Sequence, residues 1–395
     1  MTALAHGGVG RRIAYYRSMV RPKMTQEQLA DAACVALGTI RKIERGERGV
    51  SDATLEAIAD ALGVDPARLR TDRGSTHTRV HDALPMLSDA IAAYDVPDDG
   101  PVRPVQDLHT AVVEAAHWRL AAQYTRIARK LPDLLTELAR AYQAAAIGER
   151  TELAGLLVRA CRSADAVAYK FGARDLSARL IELMRWAAPE AADPLLTASV
   201  AYVRTETFFA ARAHGPGLRA LEGALSAAPA PATTTETAVR GTLHMRAAVI
   251  AGRAHDVPAA AAHLNEARAL ASRVPEDVYY GTAFGPDSLR IHEVSVAVSL
   301  GDDHLARALD IASKWKPSTD LPAERRSGFY IELARAQLWS GFVDDSFESL
   351  KVARRIAPQH TREHPWVRED AATLRRLKRA DSETLTNFAE WCAAT

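Results

Sequence analysis

Four cationic side chains lie close together between residues 39 and 48, in the segment TIRKIERGER. Ile40 and Ile43 share one helical face there, so Arg41 and Lys42 fall on the opposite, exposed face. From residue 9 to residue 50, nine basic residues stand against four acidic ones, whereas the whole chain has a net charge of only +1. Exposed cations on a short helix suit phosphate oxygens and base edges, so the segment indicates nucleic-acid binding.

No other set of residues has the spacing of a catalytic or metal site. The 13 histidines form no HExxH pattern, and the three cysteines (Cys34, Cys161 and Cys392) have no metal-motif spacing. GVGRR, at residues 8–12, lacks the strand and the GK[ST] of a phosphate loop, and no GxSxG elbow occurs. We therefore predict no enzyme activity, no metal and no cofactor, with histidines that are solvated or satisfied in the core.

The composition favours helices. Ala, Leu and Arg are abundant, aromatic residues make up 6% of the chain, and alternating β-branched runs are nearly absent. No apolar run reaches the roughly 18 residues of a membrane helix, and the N-terminus has no signal-peptide core. The sequence predicts an all-α protein that is soluble and cytoplasmic.

The elements that position the basic segment lie within residues 1–71. Thr25 and Gln28 form a capping-box pattern at the start of a second helix, whose apolar face holds Leu29 and Ala32. A tight connection at residues 33–35 leads to the basic third helix, which stops at Gly46. A first helix precedes these, a fourth starts at Ser51 or Asp52, and a short fifth lies in VDPARL. Such a series predicts a helix-turn-helix domain whose third helix enters the major groove.

The blocks TQEQLA, TIRKIERGER and TLEAIADALGVDPARL are similar to the Cro-type (lambda-repressor-like, xenobiotic-response-element) DNA-binding family over residues 9–70. The resemblance implies backbone contacts from the start of the second helix, base contacts from the third, and phosphate contacts after it. It also implies structural roles for Leu29, Ile40, Ile43 and Glu44. The implied DNA-binding residues are Thr25, Gln26, Leu37, Gly38, Thr39, Arg41, Lys42, Arg45 and Arg48.

This sequence departs from the family where Ala36, Leu37 and Gly38 replace polar residues. Leu37 is suited to a thymine methyl, and base recognition then depends mainly on Arg41 and Lys42. The alternative is a helical module with a solvated basic face and no DNA role. Two roles remain open for Arg17, an ion pair with Glu44 or a DNA contact.

Residues 72–106 have the pattern of a linker with a connector helix. Leu84, Leu87, Ile91 and Tyr94 form an apolar stripe that must be buried against the rest of the chain or a second protomer. The breaks TDRGSTHT and PDDGPVRP flank this helix.

Residues 107–395 read as a series of helix pairs. Turn segments recur at glycines 37 to 49 residues apart: Gly172, Gly215, Gly252, Gly301 and Gly341. Such a period predicts a tetratricopeptide-like α-solenoid of five to seven helix pairs, which serves for sensing and dimerisation. The segment YYGTAFGPDS interrupts the period and is expected to form a loop.

A Cro-type domain joined to such repeats resembles actinobacterial transcriptional regulators of this architecture and, more distantly, the peptide-pheromone regulators of Gram-positive bacteria. The segments IAYYR, YDVPDDGPVRP, PAERR and REHPWVRE carry the first likeness. Pheromone regulators clamp the peptide backbone with asparagines, and this chain has only Asn265 and Asn387 in its body.

The predicted function is therefore a sequence-specific transcriptional regulator. It would bind a two-fold symmetric double-stranded operator as a homodimer and respond to a small-molecule or peptide effector. The alternative is a repeat-based protein-interaction scaffold or anti-regulator. Each candidate for the effector groove is also an ordinary packing or surface residue; the candidates are Tyr202, Arg204, His244, Arg246, Arg290, His292, Arg326, Phe329 and Tyr330.

Overall fold

The computed structural model describes residues 9–20, 22–64, 69, 73–377 and 383–394. The chain divides into two compact units, Met1–Asp82 and Ala83–Thr395. Among the described residues, the regular structure is helical except for two strands of three residues each. The predicted all-α class is thereby confirmed.

The first unit contains four described helices around one core: α1 (Val9–Met19), α2 (Gln26–Ala32), α3 (Leu37–Arg45) and α4 (Asp52–Leu62). Ile13, Leu29, Ile40 and Ile58 are fully buried where they meet. The buried neighbour of Leu29 is Ala30 and not Ala32, because α2 packs against both α3 and α4. The predicted fifth helix falls mainly outside the described residues, although Val64 and Leu69 pack in this core.

Local sequence signals set the limits of these helices. Thr25 and Gln28 form the predicted capping box at the start of α2. Gly46, with φ of 78°, ends α3 as predicted, since glycine adopts left-handed backbone without a Cβ clash. Ser51 caps α4 by accepting a hydrogen bond from the Thr54 amide. Cys34, with φ of 52°, makes the turn between α2 and α3.

Helix α5 (Arg73–Ala92) contains the limit between the two units, and its second half carries the predicted apolar stripe. Leu84, Leu87 and Ile91 are buried. Beyond the helix, Tyr94 packs edge-on against Trp186 with ring centroids 5.0 Å apart. The stripe is therefore buried within the second unit.

The second unit continues as helices that pack in pairs along the chain. The first helices of successive pairs, α6, α8, α10, α12, α14 and α16, also contact one another in that order. Helix pairs therefore stack side by side, and neighbouring pairs share apolar clusters. The helices are α6 (Val105–Leu120), α7 (Tyr124–Ala144), α8 (Ile147–Lys170), α9 (Arg174–Ala187), α10 (Pro194–Ala210), α11 (His214–Ala227), α12 (Thr234–Arg253), α13 (Val257–Ala271), α14 (Pro286–Leu300), α15 (Leu305–Lys314), α16 (Ala323–Trp339), α17 (Val343–Ile356), α18 (Pro358–Glu363), α19 (Pro365–Leu377) and α20 (Glu383–Trp391).

The turns inside these pairs share one backbone feature, a residue with positive φ. Two of the predicted turn glycines, Gly215 and Gly252, instead lie inside α11 and α12. Arg212 (φ 54°) and His255 (φ 57°) occupy the neighbouring turns, so this prediction was wrong because the left-handed residue is not always glycine. The residues with positive φ in the paired turns are Ala122, Gly172, Arg212, His255, Gly301 and Gly341.

The segment expected to be a loop forms a β-hairpin. Strands β1 (Asp277–Tyr279) and β2 (Thr282–Phe284) pair antiparallel, with Tyr279 opposite Thr282. Tyr280 and Gly281 make the two-residue turn, with φ of 48° and 74°. Two positive φ angles in succession are characteristic of a type I′ turn, which matches the twist of the strands.

The beginning and the end of the second unit also contact each other. Helix α16 packs on α6. Gln359 Oε1 accepts a hydrogen bond of 3.0 Å from the Thr125 amide. Lys170 Nζ lies 3.2 Å from Glu324 Oε1. The first helices of the pairs therefore enclose charged side chains and do not line an open groove along their whole length.

Candidate nucleic-acid interface and repeat-domain cluster

The face of α3 that carries the predicted base contacts is exposed, and the opposite face is anchored. Ile40 and Ile43 are 0% and 2% exposed. Arg41 and Lys42 lie on the exposed side, as do Gly38, Arg45 and Arg48. The first turn of α3 has no side-chain cap, because its N-cap residue is Ala36. The cationic side chains are thus available to a duplex from a helix fixed by its apolar side.

Leu37 and Thr39 are half-buried at the start of this face. Leu37 packs against the core of the first unit, so only part of its side chain remains for a thymine methyl. The Thr39 hydroxyl accepts a long hydrogen bond of 3.5 Å from Arg48 Nη1. Arg45 forms a surface ion pair of 3.0 Å with Glu47, a weak contact that water screens.

The start of α2 holds the two predicted backbone contacts in defined positions. Thr25 Oγ1 accepts a hydrogen bond of 3.1 Å from the Gln28 amide, while Gln28 Oε1 accepts one from the Thr25 amide. Gln26 Nε2 donates to Glu44 Oε2 over 2.6 Å. The Thr25 hydroxyl and the second Gln26 N–H therefore remain as donors at the positive end of α2, where an anion is favoured.

Glu44 also settles the role of Arg17. Arg17 Nε and Nη2 donate to the two Glu44 carboxylate oxygens over 2.8 and 2.9 Å. Arg17 Nη1 donates to the Met24 carbonyl oxygen over 3.0 Å. This bidentate pair, with hydrogen bonding as the main cause, raises the pKa of Arg17. Arg17 is thus an internal tie between α1, α3 and the segment before α2.

In the second unit, two of the predicted ligand residues meet. The guanidinium carbon of Arg246 lies 4.7 Å from the centre of the Tyr202 ring. Arg246 Nε donates to Thr205 Oγ1 over 2.6 Å, and Arg325 Nη2 donates to the Tyr202 hydroxyl over 2.9 Å. Burial raises and the surrounding arginines lower the pKa of Tyr202, which falls to about 8.

Phe329 and Tyr330 also contact each other, with ring centroids 5.2 Å apart, and the other predicted ligand residues have local partners of their own. His292 Nδ1 bonds the Ser288 carbonyl oxygen at 2.8 Å, and Phe329 is fully buried in a core cluster. Tyr330 packs at the edge of that cluster. The remaining contacts are local: Arg204 over Phe208, His244 with His263, Arg290 over Trp315, and Arg326 with the Leu321 carbonyl.

The structure adds a cationic cluster, with Arg119 buried and Arg162 and Arg325 half-buried, that was not predicted from the sequence. Burial lowers the pKa of Arg119 and of Arg162, and the charge of Arg325 acts in the same direction. Glu324, near Arg119, and Glu206, near both, act in the opposite direction. Burial, followed by the charge of Arg119, lowers the pKa of Arg162 to about 9. The sequence signal was slight: Arg119 continues the buried positions Val112 and Ala115 on α6.

Neither a metal cluster nor a membrane span is found among the described residues. No group of three or more His, Cys, Asp or Glu side chains there is arranged to hold a metal ion. None of the helices in the described ranges has the length and apolarity to cross a bilayer.

Comparison with known proteins bears on the first unit. No curated protein and no solved structure matches the chain. Residues 19–69, which include α2, α3 and α4, match a family model described as helix-turn-helix, so this stretch of the chain is similar to helix-turn-helix domains.

Proposed function

We propose that this protein is a sequence-specific transcriptional regulator that reads an operator through α3. The observation that carries the proposal is the exposed cationic side of α3, which Ile40 and Ile43 fix from behind within the helix-turn-helix region. Arg41 and Lys42 reach base edges in this proposal. Arg45, Arg48 and the α2 start bind phosphates, since cations and helix N-termini both attract them.

The regulator acts as a homodimer on a two-fold symmetric operator. A single helix-turn-helix domain buries roughly 600–1,000 Å² on DNA, which seldom gives tight specific binding alone. Two domains related by a two-fold axis read half-sites about 34 Å apart. The stacked helix pairs of the second unit, proposed here to be tetratricopeptide-like, supply the contact between protomers.

The second unit is also the sensor. An effector changes operator affinity only if it binds two arrangements of the dimer with different affinity. Enclosed charged and aromatic side chains such as Tyr202, Arg246 and Arg325 support a small-molecule effector, because they leave little room for a long peptide among the helices that they join.

The proposal is tested by a gel shift on the promoter of the protein's own gene. Replacing Arg41 and Lys42 together by Ala is expected to cost about 1–3 kcal/mol of operator binding, roughly fivefold to 150-fold in affinity. The salt dependence should also become shallower, because fewer counterions are released. Equal affinity of the double variant and the wild type for the operator would contradict the proposal.

A matched control exists on α7. Arg129 and Lys130 are likewise an adjacent, exposed Arg–Lys pair, and their replacement by Ala removes the same charge from the chain. This variant should bind the operator like the wild type, so a general charge effect is separated from contacts made by α3.

The second candidate function is a protein-interaction scaffold. Trp339 and Phe342, at the turn between α16 and α17, are 50% and 51% exposed, and large exposed aromatic side chains are common in protein interfaces. Co-purification of a protein partner by a chain that shows no affinity for duplex DNA would favour this candidate.

A further inference from the structure

A cavity of about 370 Å³ lies among α6, α8, α9, α10 and the turn of the β-hairpin. Its walls are mainly aliphatic: Val112, Ala116, Leu156, Met184, Leu196 and Val200. This volume is within the range of small-molecule sites, which combine apolar walls with a few placed polar groups. None of the nine ligand residues predicted from the sequence lines it.

Two arginines and the hairpin turn close one side of this cavity. Arg119 Nη2 donates to the Gly281 carbonyl oxygen over 2.7 Å. Arg162 donates to the Tyr280 carbonyl oxygen and to Thr282 Oγ1. A Cβ at Gly281 would lie 2.9 Å from Arg119 Nη2, the end of a flexible side chain, so glycine is favoured here mainly by its positive φ of 74°.

These two arginines differ from the arginines of the chain that form ion pairs. Arg17 and Arg103 are both paired with carboxylates, at 2.8 and 2.6 Å. Among the described residues, no carboxylate oxygen lies within ion-pair distance of Arg119 or Arg162, and Arg119 Nε has no hydrogen-bond partner although Arg119 is only 8% exposed. A buried guanidinium without an anion is unfavourable, because the protein replaces its hydration incompletely.

Holding the hairpin turn does not account for this arrangement. A guanidinium has five N–H donors, and Arg119 uses one of them on the turn. One neutral side chain in place of each arginine would donate to the same carbonyl oxygens without confining two positive charges beside Arg325. Glu324 and Glu206 offset part of this charge from beyond ion-pair distance. The surplus donors and the lack of a directly paired carboxylate point to an anion.

We propose that the cavity binds a small carboxylate with an apolar body, whose head group pairs with Arg119 and Arg162 and whose body contacts the aliphatic walls. A carboxylate accepts two parallel hydrogen bonds from a guanidinium, the strongest pairing of this kind. The inference deepens the proposed function and rests on it in one respect only, namely that this ligand is the effector.

Binding is tested by titration calorimetry on the full-length protein, without DNA. Octanoate and 4-phenylbutyrate serve as probes with one head group and two different bodies, and 1-octanol is the uncharged control. At least one carboxylate should bind, and octanol should bind at least about tenfold more weakly, since charge-assisted hydrogen bonds are lost. Absence of heat with both carboxylates, or equal binding of octanol, would overturn the proposal.

Two variants locate the site. Arg119→Met should weaken carboxylate binding at least about tenfold, and Ala116→Trp should abolish it by filling the cavity. The matched control is Arg253→Met, because Arg253 is another inner arginine whose Nε has no partner, but it does not line the cavity. Carboxylate binding that survives Ala116→Trp would refute the site even if Arg119→Met fails to fold.

The two proposals fail separately. Octanoate or phenylbutyrate binding that leaves operator affinity unchanged in the gel shift would remove the effector role and keep the ligand site. The proposed operator binding through α3 fails if replacement of Arg41 and Lys42 leaves operator affinity unchanged, whatever the calorimetry reports.

Discussion

Glu44 joins three parts of the helix-turn-helix domain through one carboxylate. It accepts hydrogen bonds from Arg17 and Gln26, and it is nearly buried, with 6% of its side chain exposed. Gln26 is one of the proposed phosphate contacts, so the same carboxylate that ties α1 to α3 also positions a residue of the proposed DNA-binding surface. Stability and recognition are thus coupled at this residue.

Glu44→Gln is expected to destabilise the first unit by about 1–3 kcal/mol. The glutamine side chain keeps the shape of glutamate but carries no charge. Its NH₂ group, a donor, would face the N–H donors of Arg17 or Gln26. All six Trp residues lie beyond residue 117, so fluorescence does not report on this unit. Hydrogen exchange of amides in α2 and α3 of the full chain measures the loss.

Glu47→Gln is the matched control for that prediction. Glu47 pairs with Arg45 on the surface, where both side chains are more than half exposed (51% and 61%). Exposed pairs contribute about 0–1 kcal/mol, so exchange should change little. Equal protection in the Glu44 and Glu47 variants would show that the Arg17–Glu44 pair does not hold the domain together.

At the scale of elements, α1 and α3 pack with their backbones in contact. A Cβ on Gly10 would lie 1.8 Å from the Ile43 carbonyl oxygen and 2.9 Å from the Glu44 Cα, both of them backbone atoms of α3. Gly38, on the exposed side of α3, has nothing within 4 Å of its Cβ position. A larger side chain is therefore excluded at Gly10 and accommodated at Gly38, although both glycines lie in helices.

Gly10→Ala should destabilise the first unit by about 1–3 kcal/mol, because a methyl group forces α1 away from α3. Gly38→Ala should instead stabilise it by about 0.5–1 kcal/mol through helix propensity. Exchange protection of α1 and α3 amides measures both. The two changes in exchange protection should have opposite signs. If both substitutions change protection in the same direction, the packing of α1 on α3 differs from that described.

The elements of the first unit were largely predictable from local signals. Ile40 and Ile43 define the buried side of α3. Thr25 and Gln28 mark the start of α2, and Gly46 marks the end of α3. The β-hairpin was not predictable in this way, because Tyr280 adopts a positive φ that its residue type does not favour. Arg212 and His255 concealed two repeat turns for the same reason.

The cavity was harder to predict than the exposed cationic face of α3. Arg41 and Lys42 are exposed because two isoleucines three residues apart define the buried side, which is a local property. The positions of Arg119 and Arg162 depend on contacts with a hairpin more than 100 residues away along the chain. Single-sequence periodicity contains no information on such a contact, so arginines on inner helices were indistinguishable from surface arginines.

At the scale of the whole molecule, the interior of the second unit is rich in buried ionisable groups. His292 and His360 are 4% and 3% exposed. Burial is the main cause that lowers the pKa of His292 to about 3, and the charge of Arg325 adds to it. Burial and the charge of Lys170 likewise lower the pKa of His360 to about 3, while Glu324 acts in the opposite direction. Asp370 opposes these histidines, since burial raises its pKa to about 7. The net pH dependence of stability is therefore a difference between groups of opposite sign.

The contribution of one histidine to the pH dependence of stability can be measured separately by substitution. His292 is neutral in the folded state, whereas the unfolded chain binds a proton below its ordinary pKa of 6.5. Its contribution to stability is thus present above pH 6.5 and is lost as the pH falls, by about 1.4 kcal/mol per pH unit, or about 2 kcal/mol at pH 5. His292→Gln keeps a donor for the Ser288 carbonyl but does not titrate. Between pH 7 and pH 5 the free energy of unfolding of the variant should therefore fall by about 2 kcal/mol less than that of the wild type.

Urea unfolding followed by Trp fluorescence measures this difference within the second unit. The control is His117→Gln, an exposed site on α6, which should follow the wild type. Parallel pH profiles of His292→Gln and the wild type would mean that His292 is charged in the folded protein, and that the interior admits more water than its packing indicates.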